Sequence, residues 1–224
     1  MSPLLEAPPR PPVSRKTNGR VPPAPPERGW GGDDDRDAPR PRRLDNLRLA
    51  LLFFMGAEVM FFAALVSALF VLRVGTAVWP PPLQPRLPLA VTTVNTFVLI
   101  GSSVSMVAAL RALRRRDSGR FVRWLTTTAV LGTAFLAVQG YEWIQLIGFG
   151  LTLSSSVYGA AFYSLIGLHG LHVLGALVWV VATTLLATRR RFADGRITPV
   201  QACAMYWHFV VALWPVLFVT VYLL

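Results

Sequence analysis

The chain has 224 residues, of which 54% are hydrophobic and only 15% charged. So few charges cannot cover a water-exposed globule of this size, which excludes an ordinary soluble domain and fits a helical bundle facing lipid. The formal net charge of +11 would suggest nucleic acid in a soluble protein. Here the arginines stand at the ends of apolar segments, so membrane topology accounts for them and no nucleic-acid partner is expected. Cys203 is the single cysteine, which excludes a disulfide framework or a cysteine-cluster metal site within one chain.

Residues 1–43 hold 11 of the 18 prolines, several glycines and the acidic run Asp33-Asp34-Asp35. Such a segment buries too little apolar surface to offset its ordering entropy, and a disordered cytoplasmic tail is predicted. A docking peptide built on the polyproline run Pro22-Pro23-Ala24-Pro25-Pro26 is the alternative. No apolar core of a cleavable signal peptide is present in it.

Residues 44–224 read as a membrane domain, all-α, with five apolar stretches. Each is long enough to cross roughly 30 Å of hydrocarbon. The predicted spans are 46–72, 87–110, 122–148, 157–188 and 199–224. Pro80-Pro81-Pro82 and Pro85 force a turn between the first two, and Pro199 suits the first turn of the last helix, where its missing N–H costs nothing. Arg111, Arg114, Arg115, Arg116, Arg120 and Arg123 crowd the connection between spans two and three. Arg189, Arg190, Arg191 and Arg196 crowd the one between four and five. The opposite loops are nearly free of charge, so the N-terminus is expected in the cytoplasm and the C-terminus outside.

Ionisable groups inside hydrocarbon are costly, and each is a functional candidate. Glu58 falls near the middle of the first span and Asn95 in the second. Glu142 lies toward the end of the third, with Gln139 three residues before it on the same face. His169 and His172 form an i, i+3 pair in the fourth span, and His208 lies in the fifth. These residues admit three readings. One is a metal or haem site, with His172 and His208 as axial ligands or His-x-x-His and a carboxylate around zinc. Another is a proton or substrate path through the bundle. The third, which is preferred, has them hydrogen-bonding between helices and to lipid headgroups. Gly159, Gly167, Gly170 and Gly175 fit that reading as sites of close helix approach, and Trp79, Trp124, Trp143, Trp207, Trp214 and Tyr222 are expected as interfacial anchors. No catalytic and no metal-ligating residue is assigned.

Several segments together resemble one family. Ala57-Glu58-Val59-Met60-Phe61-Phe62 is similar to the Ser-Glu-Val-Met-Phe-Phe segment of cytochrome c oxidase subunit III. Val94-Asn95-Thr96 with Ser102-Ser103, Gln139-Gly140-Tyr141-Glu142-Trp143, Tyr158-Gly159 with Phe162-Tyr163, His169-Gly170-Leu171-His172-Val173 and Tyr206-Trp207-His208-Phe209-Val210 follow in the family's order. Two acids of the family pattern are missing: Val211 stands where an aspartate is usual and Gln201 where a glutamate often occurs. The first two of the seven spans found in long members are also lacking, so the chain resembles the short bacterial form.

The resemblance implies an accessory, non-catalytic subunit of an aerobic respiratory haem–copper oxidase in the bacterial inner membrane. It would pack on the catalytic subunit I, which holds haem and copper, with subunit II in the same complex, and would support stability, proton uptake and phospholipid binding. It makes Glu58 the buried carboxylate of that family. Asn95, Gln139, Glu142, His169, His172 and His208 become a polar packing cluster, and Arg189, Arg190 and Arg191 become candidates for lipid phosphate. The chain itself is expected to bind no cofactor other than phospholipid. A quinol-oxidase subunit III or a relative associated with nitric-oxide reductase is the alternative within the family. An independent proton-coupled transporter and a membrane cytochrome are the alternatives outside it.

Overall fold

The computed structural model describes residues 46–76, 78–79, 89–189 and 198–223. The tail predicted over 1–43, the proline turn between the first two spans, and Arg190 and Arg191 lie outside the described residues. Five helices are long and apolar enough to cross a membrane: α1 (Asn46–Val74), α2 (Leu89–Arg114), α3 (Ser118–Gly148), α4 (Val157–Thr188) and α5 (Thr198–Leu223). Helix is the form the bilayer demands, because it satisfies every backbone polar group within its own segment. At 26 to 32 residues each exceeds the ~20 needed to span, which leaves room for tilt or for turns beyond the hydrocarbon.

The helix ends show why the segments stop. Helices α2 and α3 run four residues further toward each other than the apolar stretches alone suggest, because arginine is a good helix former and its long stem lets the charge reach water. Between them Arg116 adopts a left-handed conformation at φ 57°. The Asp117 amide donates to Ala112 O at 3.1 Å and the Arg116 amide to Leu113 O at 3.0 Å. That pair of bonds is a Schellman closure made without glycine, and the same turn supplies the next helix with its N-cap, Asp117, whose carboxylate accepts from the Arg120 amide at 3.0 Å. The end of α3 repeats the closure with Gly150 at φ 87°. There the Leu151 amide donates to Leu146 O at 3.0 Å, and both leucines are buried against the core. Ser156 then caps α4 by accepting from the Gly159 amide at 3.0 Å.

Helices α2, α3, α4 and α5 form the inner bundle, with α2 on α3 and α5, and α4 between α3 and α5. Among the buried positions of α5, Val200, Cys203, Trp207, Val210, Trp214 and Leu217 recur at three- and four-residue intervals, the centre of a broad face turned inward that also takes in Ala202, Ala204, Tyr206, Val211 and Phe218. Helix α1 leans on α5 and on the Tyr163–Gly167 stretch of α4. It is the most apolar of the five, yet only Leu51, Phe62 and Leu69 are buried in it. Phe53 is 73% exposed and Met60 75% exposed, as expected of a helix whose outer face meets lipid or another chain.

Two expectations about packing need correction. Trp207 and Trp214 are fully buried and Tyr222 nearly so, so they belong to the core rather than to the interface; Trp124 alone among the described members of that set is well exposed. Of the four glycines of α4, Gly170 does meet a neighbouring helix. An added Cβ would lie 2.8 Å from Trp143 Cη2. At Gly159 an added Cβ would instead run into Thr152 O of its own preceding turn, while at Gly167 and Gly175 it would meet nothing within 4 Å. The tightest helix contact falls on Gly132 of α3, where a Cβ would be 2.5 Å from Trp207 Cη2 and 3.1 Å from Leu177 Cδ1. Gly132→Ala should therefore overpack the core and lower stability by about 1–3 kcal/mol. Gly175→Ala should leave it unchanged or raised. Thermal unfolding of the two variants in the same detergent checks the contrast.

Candidate functional site

Polar side chains that a bilayer would reject are gathered along one face of α2, where Thr92, Asn95, Thr96, Ser102 and Ser105 are all buried. Each reaches a partner. Thr92 donates to the Glu142 carboxylate of α3, its Oγ1 3.3 Å from Oε1 and 3.2 Å from Oε2. Asn95 Nδ2 donates to the Phe135 carbonyl at 3.0 Å. Ser105 and Thr128 share a hydrogen bond of 2.7 Å. From α5 the Trp214 indole N–H donates to Thr96 Oγ1 at 2.9 Å and the Trp207 N–H to Ser102 Oγ at 3.2 Å. Interhelical hydrogen bonds of this kind are what polar residues in hydrocarbon supply.

The residues singled out in the sequence fall into three places along this frame. The first is a carboxylate cluster. Gln139 Nε2 donates to Glu142 Oε2 at 3.2 Å and lies 3.4 Å from the Tyr222 hydroxyl, so α2, α3 and α5 meet at one buried acid. The second joins α1 to α4. Glu58 Oε2 lies 2.9 Å from His172 Nε2, and His172 Nδ1 is 2.7 Å from the Leu168 carbonyl. The Glu58 contact meets the distance of a hydrogen bond but not its alignment, since that oxygen has no hydrogen-bond partner; it is best described as a close polar pair. The third is His208 Nδ1, 2.6 Å from Ser103 Oγ of α2.

His169 does not share a site with His172. Its ring is 1% exposed, stacks on Trp214 at 5.3 Å between centroids, and meets Phe62 edge-on at 6.3 Å. A π-helical turn at Tyr163–Gly167 just before it widens the helix, and Tyr163 anchors that turn by donating its hydroxyl to the Leu151 carbonyl at 2.9 Å. Arg189 closes the end of α4, where its amide bonds to Leu185 O at 3.3 Å. Among the described residues no three His, Cys, Asp or Glu side chains come together as a metal site would need. His172 and His208, weighed as axial ligands, are engaged with Glu58 and Ser103.

This order of polar residues along five helices accompanies a family match: a sequence model described as cytochrome c oxidase subunit III covers residues 41–224. The chain belongs to the cytochrome c oxidase subunit III family. Its relatives include the probable cytochrome c oxidase subunit 3 of Nocardia farcinica, 36% identical over 182 residues, 80% of this chain and 89% of the relative. The cytochrome c oxidase subunit 3 of Corynebacterium diphtheriae is 33% identical over 85% of this chain and 96% of its own length. That of a Synechocystis species is 36% identical over 78% of this chain and 74% of its own length.

Within the subunit III family pattern the two missing acids now have surroundings. Gln201 accepts a hydrogen bond from Arg48 Nη2, tying the first turns of α1 and α5 together through a neutral amide. Val211 is buried among the apolar positions of α5, where an aspartate would need a partner that this chain does not require. Thr92, Ser105, Thr128 and Arg48 went unnoticed in the sequence, and Thr96 and Tyr222 entered it only as part of a family segment and as an interfacial anchor. The recurrence of polar residues at 92, 95, 96, 102 and 105, separated by close to whole helical turns, is the signal in the sequence for the members on α2. Removing the Thr92 hydroxyl leaves a buried carboxylate short of a donor. Thr92→Val should destabilise the subunit by about 1–3 kcal/mol. Thr93→Val, whose hydroxyl serves only the Leu89 carbonyl on an exposed face, should have little effect. Retention of the subunit on heating in detergent reads the difference.

Proposed function

We propose that this chain is the accessory subunit III of an aerobic respiratory haem–copper oxidase that takes electrons from cytochrome c. It lies in the bacterial inner membrane with its N-terminus in the cytoplasm. It packs beside the catalytic subunit I, with subunit II in the same complex. The reading rests chiefly on one observation: Glu58, Glu142, His172 and His208, ionisable residues of four spans, are engaged helix to helix. Glu142 is held by Thr92 and Gln139, Glu58 lies against His172, and His208 meets Ser103. Groups used in this way fix the shape of a bundle. Electron transfer and oxygen reduction then belong to the haem and copper of the partner subunit.

Shape is what such a subunit offers its neighbours. The lipid-facing side of α1 and α5 forms an apolar groove of about 550 Å³ lined by Val59, Phe62, Ala63, Val66, Phe209 and Leu213. A phospholipid acyl chain fits its chemistry; Arg189, at the opposite end of the bundle, is a separate candidate for a headgroup phosphate. The polar pair at the midplane keeps α1 seated so that this face has a fixed form.

Purifying the tagged chain from its own membranes in mild detergent tests the reading. A haem–copper catalytic subunit should accompany it, and the haem spectrum should belong to that partner. Recovery without any such subunit would count decisively against the proposal. In the intact complex, Glu58→Ala and His172→Ala should leave initial oxygen consumption close to wild type. Both should speed loss of the subunit, or of activity, during sustained turnover. Immediate loss of all turnover with the subunit still bound would contradict a supporting role.

A further inference from the structure

A membrane interior punishes polar atoms without partners more than any other setting, because no solvent is at hand to satisfy them. Among the described residues the buried side-chain atoms lacking a hydrogen bond include Gln139 Oε1, Trp143 Nε1 and both ring nitrogens of His169. These are not scattered. Gln139 and Trp143 stand one turn apart on α3, and the Trp143 ring covers Gly170, the residue next to His169 on α4. His169 stacks on Trp214, whose ring lies 6.4 Å from that of Tyr222, and the Tyr222 hydroxyl is 3.4 Å from Gln139 Nε2. Gln139 and His169 thus both reach the Trp214–Tyr222 pair.

The chemistry of the unpartnered atoms is complementary to a single kind of ligand. The Gln139 carbonyl oxygen accepts and the Trp143 N–H donates. A neutral imidazole offers one donor and one acceptor. The Gln139 amide hydrogens are already directed at Glu142 and Tyr222. A water molecule brings two donors and two lone pairs, and buried waters characteristically make about three bonds to groups of this sort. We propose that Gln139, Trp143 and His169 form a buried water-binding site between α3 and α4. Fixed water there links the Glu142 cluster to His169 and holds the imidazole in its orientation. The subunit therefore carries internal solvent apart from its lipid-facing surface.

Two experiments decide the matter. The first is an electron cryomicroscopy map of the whole oxidase complex, at a resolution that shows other internal waters. It should contain a peak within about 3.5 Å of a His169 ring nitrogen and of Gln139 Oε1 or Trp143 Nε1. A map without such a peak overturns the proposal. The second compares the thermal midpoints of His169→Phe, Gln139→Leu and the double variant in the purified complex. Shared water predicts that each single change lowers the midpoint by several degrees, and that the double variant loses less than the sum. Strictly additive losses, or a His169→Phe complex as stable as wild type, overturn it: an imidazole that touches no water gains from replacement by an apolar ring.

Discussion

The polar seam on α2 is the constraint on which the rest of the bundle depends. In lipid, apolar faces do not drive helices together, since the acyl chains are as apolar as leucine. What discriminates one arrangement from another is close packing and the few hydrogen bonds that hydrocarbon cannot replace. Here α3 is tied to α2 through Glu142, the Phe135 carbonyl and Thr128. Helix α5 is tied to α2 through Trp207, Trp214 and His208. These bonds lie at several depths along α2, so a slip or rotation of that helix by one residue would break most of them together. Register is fixed by a ladder of side chains, much as turns fix it in a hairpin.

Helix α1 stands outside that ladder, and its attachment is of a different kind. It is held at one end by Arg48 on Gln201 and near its middle by Glu58 on His172, with Phe62 wedged between the two histidines of α4. Both polar contacts cross to helices that α2 or α3 already holds. The inner bundle is thus assembled without α1, whereas α1 has no seat without the bundle. For a subunit that must meet both lipid and a larger partner, this leaves one apolar helix, seated by two polar contacts, whose outer face is available to them.

Much of this was legible in the sequence, and the failures have physical reasons. Five runs of apolar residues, with arginines massed in alternate connections, announce five spans, because the bilayer fixes both length and charge placement. Glu58, Glu142 and the histidines were visible as costly residues. Their partners were not, since partnership depends on which helix faces which. Proximity in sequence suggested pairing His169 with His172, but the tertiary neighbour of His172 is Glu58, more than a hundred positions away. The tryptophans of α5 were misplaced because amphipathic rings favour the interface on average. Their own spacing argued otherwise: 200, 203, 207, 210, 214 and 217 trace a single face, and a face carrying both tryptophans had to be either wholly outside or wholly inside. Thr96 and Ser102, waiting on α2 with hydroxyl acceptors, decide for inside.

The division of labour between His169 and His172 follows from the π-helical turn in α4. A regular α-helix advances about 100° per residue, so an extra residue accommodated in one wide turn rotates everything before it against everything after it by roughly that amount. Ahead of the turn, Tyr158 and Phe162 face inward, packing edge-on against Trp79 and Tyr222. Beyond it, His169, Val173, Ala176 and Val180 are among the buried positions, while His172 looks toward α1. Deleting one residue between Tyr163 and Gly167 would restore a regular helix but leave one half facing wrongly. Either the aromatic packing at the start of α4 or the Glu58 contact would be lost. The wide turn also demands an anchor at its start, which the Tyr163 hydroxyl provides on the Leu151 carbonyl, next to the glycine closure that ends α3. The geometry of the α3–α4 connection and the placing of two histidines farther down α4 are therefore parts of one arrangement.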